Sequence, residues 1–85
     1  MIQITTPRGI HVRPSKILYR KIRDIKSDVY IIHRRVKHKI KDVLDILRLG
    51  IGQYENIDFE ISDDAYKWRK SELYKQVDII NNHQY

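Results

Sequence analysis

The residues best suited to chemistry lie in the segment 9–15, which reads Gly-Ile-His-Val-Arg-Pro-Ser. His11 immediately precedes a predicted helix, and the unpaired N–H groups of a helix N-terminus favour a bound anion. Arg13 adds a permanent cation whose donors match phosphate oxygens. Neutral imidazole is a nucleophile near pH 7, since its unperturbed pKa is about 6.5. These features favour phosphoryl transfer to His11, although a loop histidine without such a role is the commoner outcome for a short pattern.

The elements that must position this segment follow from the spacing of apolar residues. Ile2 and Ile4 alternate with polar neighbours, which predicts a half-buried strand, and Pro7 then begins a loop. Pro14 suits the first turn of a helix, where its missing N–H removes no hydrogen bond. The apolar stripe that predicts this first helix consists of Leu18, Tyr19, Ile22 and Ile25.

Two further strands are predicted at residues 29–32 and 36–40, joined as a hairpin through Arg34 and Arg35. This turn lacks the Gly or Asn that two-residue turns favour, so its type stays open. The hairpin carries the densest positive charge in a chain whose net charge is +6. We interpret it first as a solvated basic surface. The alternative is a nucleic-acid-binding module that would use Arg34, Arg35, Lys37, Lys39 and Lys41.

The second half of the chain predicts a short helix, a strand and a last helix. Asp42 is a good N-cap for the short helix, and Gly50 is placed to end it in the left-handed conformation. The segment 62–64, Ser-Asp-Asp, offers a capped start for the last helix, which we expect Tyr66, Trp68 and Tyr74 to pack. The apolar positions of the three elements are Val43, Leu44, Ile46 and Leu47, then Ile57, Phe59 and Ile61, then Leu73, Val77 and Ile80. The order βαββαβα predicts an α+β fold, a four-stranded antiparallel sheet with helices on one face.

Length and composition exclude several classes of protein. Eighty-five residues predict one domain, 1–85. The chain has no cysteine, which excludes disulfides and thiolate metal sites. It begins without a signal-peptide pattern and has no apolar run near the ~18–20 residues of a membrane span, so we expect a cytoplasmic protein. We expect no cofactor and no metal, because the histidines lie in separate elements without metal-ligand spacing: His11, His33, His38 and His83.

The segment 9–14, Gly-Ile-His-Val-Arg-Pro, resembles the Gly-Leu-His-Ala-Arg-Pro signature of HPr, the histidine phosphocarrier of the bacterial sugar phosphotransferase system. Residues 41–50, Lys-Asp-Val-Leu-Asp-Ile-Leu-Arg-Leu-Gly, are similar to that family's Lys-Ser-Ile-Leu-Gly-Val-Met-Ser-Leu-Gly stretch. The similarity also takes in residues 27–31. The resemblance implies a single HPr-like domain with the open-faced βαββαβα sandwich.

The resemblance also implies a role for each residue of the segment. His11 would take the phosphoryl group on Nδ1 from phosphorylated enzyme I and pass it to enzyme IIA domains during sugar uptake. Arg13 would stabilise the charge of the phosphoryl oxygens. The protein would thus be a covalent relay rather than a stand-alone catalyst. The residues expected to support the site are Gly9, Val12, Pro14 and Ser15.

Val43, Leu44 and Leu47 match the docking patch on the short second helix of HPr proteins, which implies contact with enzyme I and enzyme IIA. Ordinary core packing of an amphipathic helix explains any one of them equally well. Nothing in the sequence requires more than a monomer. A regulatory or nitrogen-type HPr-like paralogue, which signals by its phosphorylation state, is the alternative with the same chemistry.

Three positions depart from the family pattern. Asp42 stands where many HPr proteins carry a regulatory serine, so it cannot be phosphorylated as a serine. It could imitate phosphoserine or could simply cap the helix, and we favour the cap. Arg8 and Lys16 add positive charge near His11, where they could stabilise a phosphoryl group or lower the histidine pKa.

Overall fold

The computed structural model describes residues 1–62 and 67–83, in which four strands and three helices follow the predicted order. In chain order they are β1 (Ile2–Gln3), α1 (Val12–Ile22), β2 (Val29–His33), β3 (Val36–Lys39), α2 (Val43–Leu47), β4 (Asn56–Ile61) and α3 (Lys67–His83). The expected α+β class and βαββαβα order are confirmed. The expected cap at 62–64 lies partly outside the described residues.

The four strands form one antiparallel sheet in the order β1-β4-β2-β3. Ile31 in the middle of β2 pairs with Phe59 of β4, and both side chains are fully buried. Because paired residues share a face of the sheet, this pair marks the side that the helices cover. At one end of the sheet, the carboxyl ends of β1 and β2 lie beside the start of β4. The loop that carries His11 leaves β1 at this same end.

The core lies between the helices and this buried face. Leu18 from α1 and Leu73 from α3 are fully buried, as the helical spacing predicts. Ile25, predicted to extend the stripe of α1, lies beyond the end of that helix at Ile22, but it is buried all the same. The apolar core consists of Ile4, Ile10, Leu18, Ile22, Ile25, Val29, Ile31, Ile40, Ile46, Ile51, Ile57, Phe59, Leu73, Val77 and Ile80.

The expectation that the aromatic residues pack α3 is only partly confirmed. Tyr74 lies with its ring centroid 5.8 Å from that of Phe59, and its hydroxyl donates to Asp58. Trp68 was predicted wrongly, because 52% of it is exposed and it instead stacks under the Arg69 guanidinium at 4.0 Å. Tyr66 lies outside the described residues.

The hairpin between β2 and β3 turns in two residues, Arg34 and Arg35, as expected. Their φ angles are +52° and +67°. Two positive φ angles at the centre of a two-residue turn are the pattern of type I′, which favours Asn-Gly. A left-handed conformation costs a residue with a β-carbon about 1–2 kcal/mol. Both residues of the turn therefore have a left-handed backbone conformation that arginine disfavours.

Candidate functional site

The loop that leads from β1 to α1 starts with a β-turn over residues 6–9. The Gly9 N–H donates to the carbonyl oxygen of Thr6 at 3.0 Å. Pro7 occupies the second position and Arg8, with φ of +67°, the third, which is the pattern of a type II turn. Since that third position favours glycine, contacts of the neighbouring residues must hold Arg8 in place.

Gly9 supplies the closest of these contacts. Its φ is +65°, and a β-carbon there would lie 2.1 Å from the Ile51 carbonyl oxygen and 2.6 Å from Gly52 Cα. The same Ile51 oxygen accepts the Ile10 N–H at 2.9 Å. Only glycine fits such a close approach of two backbone segments. The loop is thus fixed against segment 51–52 one residue before His11.

Asn81, near the end of α3, fixes the other side of the loop. Its Oδ1 accepts the N–H groups of Thr5 at 2.8 Å and Thr6 at 3.2 Å, and its Nδ2 donates to the Gln3 carbonyl at 2.9 Å. One side chain therefore ties the end of β1 to the start of the loop. Sequence reasoning missed Asn81, because the partners lie more than seventy residues apart along the chain and no local pattern marks them.

The loop ends at His11, which is the N-cap residue of α1. Its backbone is extended, with φ of −87° and ψ of −163°, and its carbonyl accepts the Ser15 N–H at 3.0 Å. Ser15 is buried and its Oγ donates to the Val12 carbonyl at 2.7 Å. Pro14 is buried in the first turn, as predicted. The main chain of His11 thus starts the helix, while its side chain makes no capping hydrogen bond.

The two ring nitrogens of His11 have different surroundings. Nε2 is buried and has no hydrogen-bond partner among residues 1–62 and 67–83. The burial of Nε2 leaves Nδ1 as the ring nitrogen available to a reactant.

A shallow groove runs from the His11 ring along α1. Arg13, Lys16 and Arg20 follow one another at spacings of three and four residues, so they lie on one face of the helix. No carboxylate in the described part of the chain lines this groove, whose residues are His11, Val12, Arg13, Lys16, Ile17 and Arg20. The structure thus brings together the predicted Arg13 and Lys16 with His11, and it adds Arg20, which sequence reasoning missed. The arrangement is suited to an anion beside His11.

The predicted docking residues lie on α2, between the core and the surface. Ile46 is fully buried, whereas Val43 and Leu47 are half-buried and Leu44 is 53% exposed. Val12, on the neighbouring first turn of α1, is exposed as well. The short helix therefore packs through Ile46 and leaves an apolar side exposed, as its amphipathic spacing allows.

Asp42 caps α2 in a reciprocal arrangement with Asp45. The Asp45 N–H donates to Asp42 Oδ1 at 3.1 Å, and Asp45 Oδ2 accepts the Asp42 N–H at 3.2 Å and the Lys41 N–H at 2.7 Å. This is a capping box, in which two side chains satisfy unpaired N–H groups of a helix N-terminus. The cap that we favoured for Asp42 is present.

We expect Asp42→Ala to lower the free energy of unfolding by about 1 kcal/mol, because alanine leaves the Asp45 N–H without its acceptor. Asp42→Ser should unfold at nearly the same urea concentration as wild type, since serine caps helices as well as aspartate does. Urea unfolding followed by circular dichroism measures both. A serine variant as unstable as the alanine variant would contradict the capping role.

His33, the buried histidine of β2, belongs to a different cluster from His11. Its Nε2 contacts a carboxylate oxygen of Glu55, whose other oxygen accepts from Arg34 Nη2 at 2.7 Å. The Arg34 hydrogen bond and then the His33 hydrogen bond hold the pKa of Glu55 below its usual range. His33 thus pairs with the Glu55 carboxylate and is not among the residues that line the groove beside His11.

The lowered pKa of Glu55 predicts a loss of stability in acid. Because the folded pKa is below the unfolded one, the contribution is complete above the ordinary glutamate pKa, about 4.3, and disappears as pH falls through the folded value. Thermal unfolding from pH 7 to pH 3 should show wild type more stable than Glu55→Gln at neutral pH, with the difference shrinking below pH ~4.5. A difference that stays constant over this range would show that the charge of Glu55 is not the cause.

The family model for the PTS HPr component phosphorylation site matches residues 1–68. The chain belongs to the HPr family. The phosphocarrier protein HPr of Buchnera aphidicola subsp. Baizongia pistaciae is 33% identical over 52 residues. That alignment spans 61% of this chain and 61% of the Buchnera protein.

Two solved structures show the HPr fold. The histidine-containing phosphocarrier protein of Mycoplasma superposes with a TM-score of 0.76 at 21% identity, over 91% of this chain and 86% of that one. HPr-C-His from Thermoanaerobacter tengcongensis gives a TM-score of 0.72 at 19% identity, over 98% of this chain and 89% of that one. The predicted open-faced sandwich of HPr proteins is confirmed. Among the residues described, no helix has the length and apolar character needed to cross a bilayer.

Proposed function

We propose that this HPr-family protein carries a phosphoryl group on Nδ1 of His11. The observation that carries the proposal is that His11 lines the groove of cations while its Nε2 is buried, which leaves Nδ1 as the nitrogen available to a reactant. The start of α1 adds its partial positive charge at the same place. Histidine, a helix N-terminus and several cations together meet the needs of a phosphoryl acceptor.

The transfer requires little beyond placement and charge. The Nδ1 lone pair of neutral His11 attacks phosphorus in line, and the bond between phosphorus and the donor's nitrogen breaks, leaving its electron pair on the donor. Nε2 carries the ring proton throughout. Arg13 and the helix N-terminus hold the charge that spreads over the phosphoryl oxygens. The phosphohistidine formed transfers its group onward by the same steps in reverse.

The partners follow from the family. The donor is phosphorylated enzyme I, with phosphoenolpyruvate as the original source, and the acceptors are enzyme IIA domains of sugar uptake in the cytoplasm. The groove of cations and the apolar side of Val43, Leu44 and Leu47 support docking of such proteins. The protein acts as a monomeric relay, without cofactor or metal. A regulatory paralogue would use the same chemistry and differ only in its acceptors.

The first experiment is phosphorylation by purified enzyme I with phosphoenolpyruvate and magnesium, followed by intact-mass measurement. We expect a gain of about 80 Da that is lost in acid, as a phosphohistidine is. Nitrogen-15 NMR of the imidazoles should place the group on Nδ1 of His11. As a matched control, His38→Gln should gain the same mass. No gain, or a gain on another histidine, contradicts the proposal.

Measuring transfer to an enzyme IIA domain distinguishes a role in sugar transport from a regulatory role. Adding an unphosphorylated enzyme IIA domain of the same organism should return the phosphocarrier to its original mass within minutes. Retention of the group in the presence of every such domain would favour the regulatory paralogue.

A further inference from the structure

The turn of the basic hairpin lies at the His11 end of the sheet. Arg34 and Arg35 follow the end of β2, which pairs with the start of β4. Glu55, immediately before β4, holds Arg34 at 2.7 Å, and its N–H donates to the carbonyl of Gly52 at 3.3 Å. Gly52 in turn lies against Gly9. A continuous set of contacts therefore joins the turn to the loop that carries His11.

Glu55 also binds the first arginine of the turn. Its carboxylate contacts the buried His33 as well as Arg34, so Glu55 links the side chain of Arg34 to a buried residue of β2. Both arginines have positive φ angles, at two positions where an unstrained turn would have the uncharged pair Asn-Gly. The sequence thus keeps a strained turn that carries two guanidinium groups at the His11 end of the sheet, of which that of Arg34 is bound by Glu55.

Most cations of the hairpin are already paired. Arg34 is bound to Glu55, Lys37 to Glu60, and Lys39 lies 3.4 Å from Asp28. Exposed carboxylates between the cations repel a phosphate backbone, so the hairpin is not a track of free positive charge for DNA or RNA. Arg35 is exposed and has no ion pair or hydrogen bond with any residue in the described ranges. It is the free cation of the turn.

A protein that reaches His11 will also reach this turn. A standard interface covers about 800 Å² of each partner, a patch with a radius of roughly 16 Å. The turn lies between β2 and β3, and the His11 loop leaves β1, which stands three positions from β3 in the sheet. Three strand spacings amount to about 14 Å. The separation of β1 and the turn across the sheet is therefore smaller than the radius of such an interface, so a partner docked on the His11 loop can extend to Arg35.

We propose that Arg35 is a specificity-determining contact for an acidic surface patch on the protein that exchanges phosphoryl groups with His11. The inference rests on the proposed function. The strained turn places one unpaired guanidinium at the rim of the docking surface. A carboxylate on the partner there is attracted, whereas a partner with a basic surface at this point is rejected.

The test compares Arg35→Asn, which removes the charge and tolerates a left-handed conformation, with Arg35→Lys, which keeps the charge. Lys26→Asn is the matched control, because Lys26 is exposed and precedes β2 at the far end of the sheet. For phosphorylation by enzyme I, Arg35→Asn should raise the KM about fivefold without changing kcat, and 0.5 M salt should remove the difference. Arg35→Lys and Lys26→Asn should keep the wild-type KM within about twofold. Arg35→Asn should also raise the Tm by about 2–5 °C, because asparagine relieves the turn.

The outcomes distinguish the inference about Arg35 from the proposed function on which it rests. A wild type that takes up phosphoryl groups while Arg35→Asn keeps an unchanged KM overturns the inference and leaves the proposed function standing. Equal rises in KM for Arg35→Asn and Lys26→Asn overturn it too, since net charge alone would then be the cause. If the wild type binds an oligonucleotide in a salt-sensitive way, and Arg35→Asn abolishes this binding but leaves the KM unchanged, the turn binds nucleic acid instead. A wild type that takes up no phosphoryl group contradicts both proposals.

Discussion

Replacement of His11 by alanine should abolish phosphorylation by enzyme I, with a rate at least about 1,000-fold below wild type. No other histidine can substitute, because none lies in the groove that Arg13 and Lys16 line. The fold should survive, since the His11 main chain starts α1 and alanine retains that main chain. Intact mass after incubation with phosphoenolpyruvate and enzyme I measures the first effect, and thermal unfolding measures the second.

His11→Asn sharpens this prediction. The backbone of His11 has the extended conformation of an N-cap, but its side chain makes no capping hydrogen bond. Asparagine is among the best N-caps, so the variant should be as inactive as His11→Ala and more stable than it by about 1 kcal/mol. Equal stability of the two variants would show that residue 11 does not act as a cap. Residual phosphorylation of either one would show that another residue accepts the group.

Gly9→Ala should lower the free energy of unfolding by about 2–5 kcal/mol and slow phosphorylation of His11. The first cost is the left-handed backbone, about 1–2 kcal/mol for alanine. The second is the clash of the new β-carbon with the Ile51 carbonyl oxygen, at 2.1 Å, which must move away from the Ile10 N–H. A lost buried hydrogen bond costs about 1–3 kcal/mol. Because Ile10 immediately precedes His11, the displacement should also misplace the acceptor ring.

Two glycines serve as matched controls for Gly9. Gly50 has nearly the same φ, +62°, but a β-carbon there meets nothing within 4 Å. Gly50→Ala should therefore show only the backbone cost, about 1–2 kcal/mol, and phosphorylate normally. Gly52→Ala would place its β-carbon 3.7 Å from Glu55 Oε1, an ordinary contact. Urea unfolding of the three variants separates the cost of the left-handed backbone from the cost of the clash. Equal losses of unfolding free energy for Gly9→Ala and Gly50→Ala would show that the contact with Ile51 contributes nothing.

Features set by neighbouring residues could be predicted from the sequence. The alternation of Ile57, Phe59 and Ile61 predicted β4, and Asp42 predicted the start of α2. Gly50 has the left-handed φ expected of it, but α2 already ends at Leu47, with Arg48 as its C-cap. In each case the physical cause, burial every second residue or the hydrogen bonding of a helix end, acts within a few residues. Such signals fixed the order of the elements, and from it the fold class.

The parts of the site that were missed depend on residues distant in sequence. The bonds of Asn81 to the start of the loop and the close approach of Gly9 to Ile51 exist only once α3 and segment 51–52 are packed. Trp68 is a similar case, because its exposure depends on what lies beside α3 rather than on its own hydrophobicity. The residues around His11 indicated that it could react, but Nδ1 was implied only by the resemblance to HPr proteins, because the burial of Nε2 depends on packing.

The sheet has two free edges, and the composition of each affects how the protein behaves at high concentration. β1 has only two residues, so it offers almost no length for another strand to pair with. β3, the opposite edge, carries Lys37 and Lys39 on one face, and a second copy would bring the same charges close to them. Short or lysine-bearing edges resist the strand-to-strand association from which aggregates grow. Pairing of the sheet edges of two copies is thereby disfavoured.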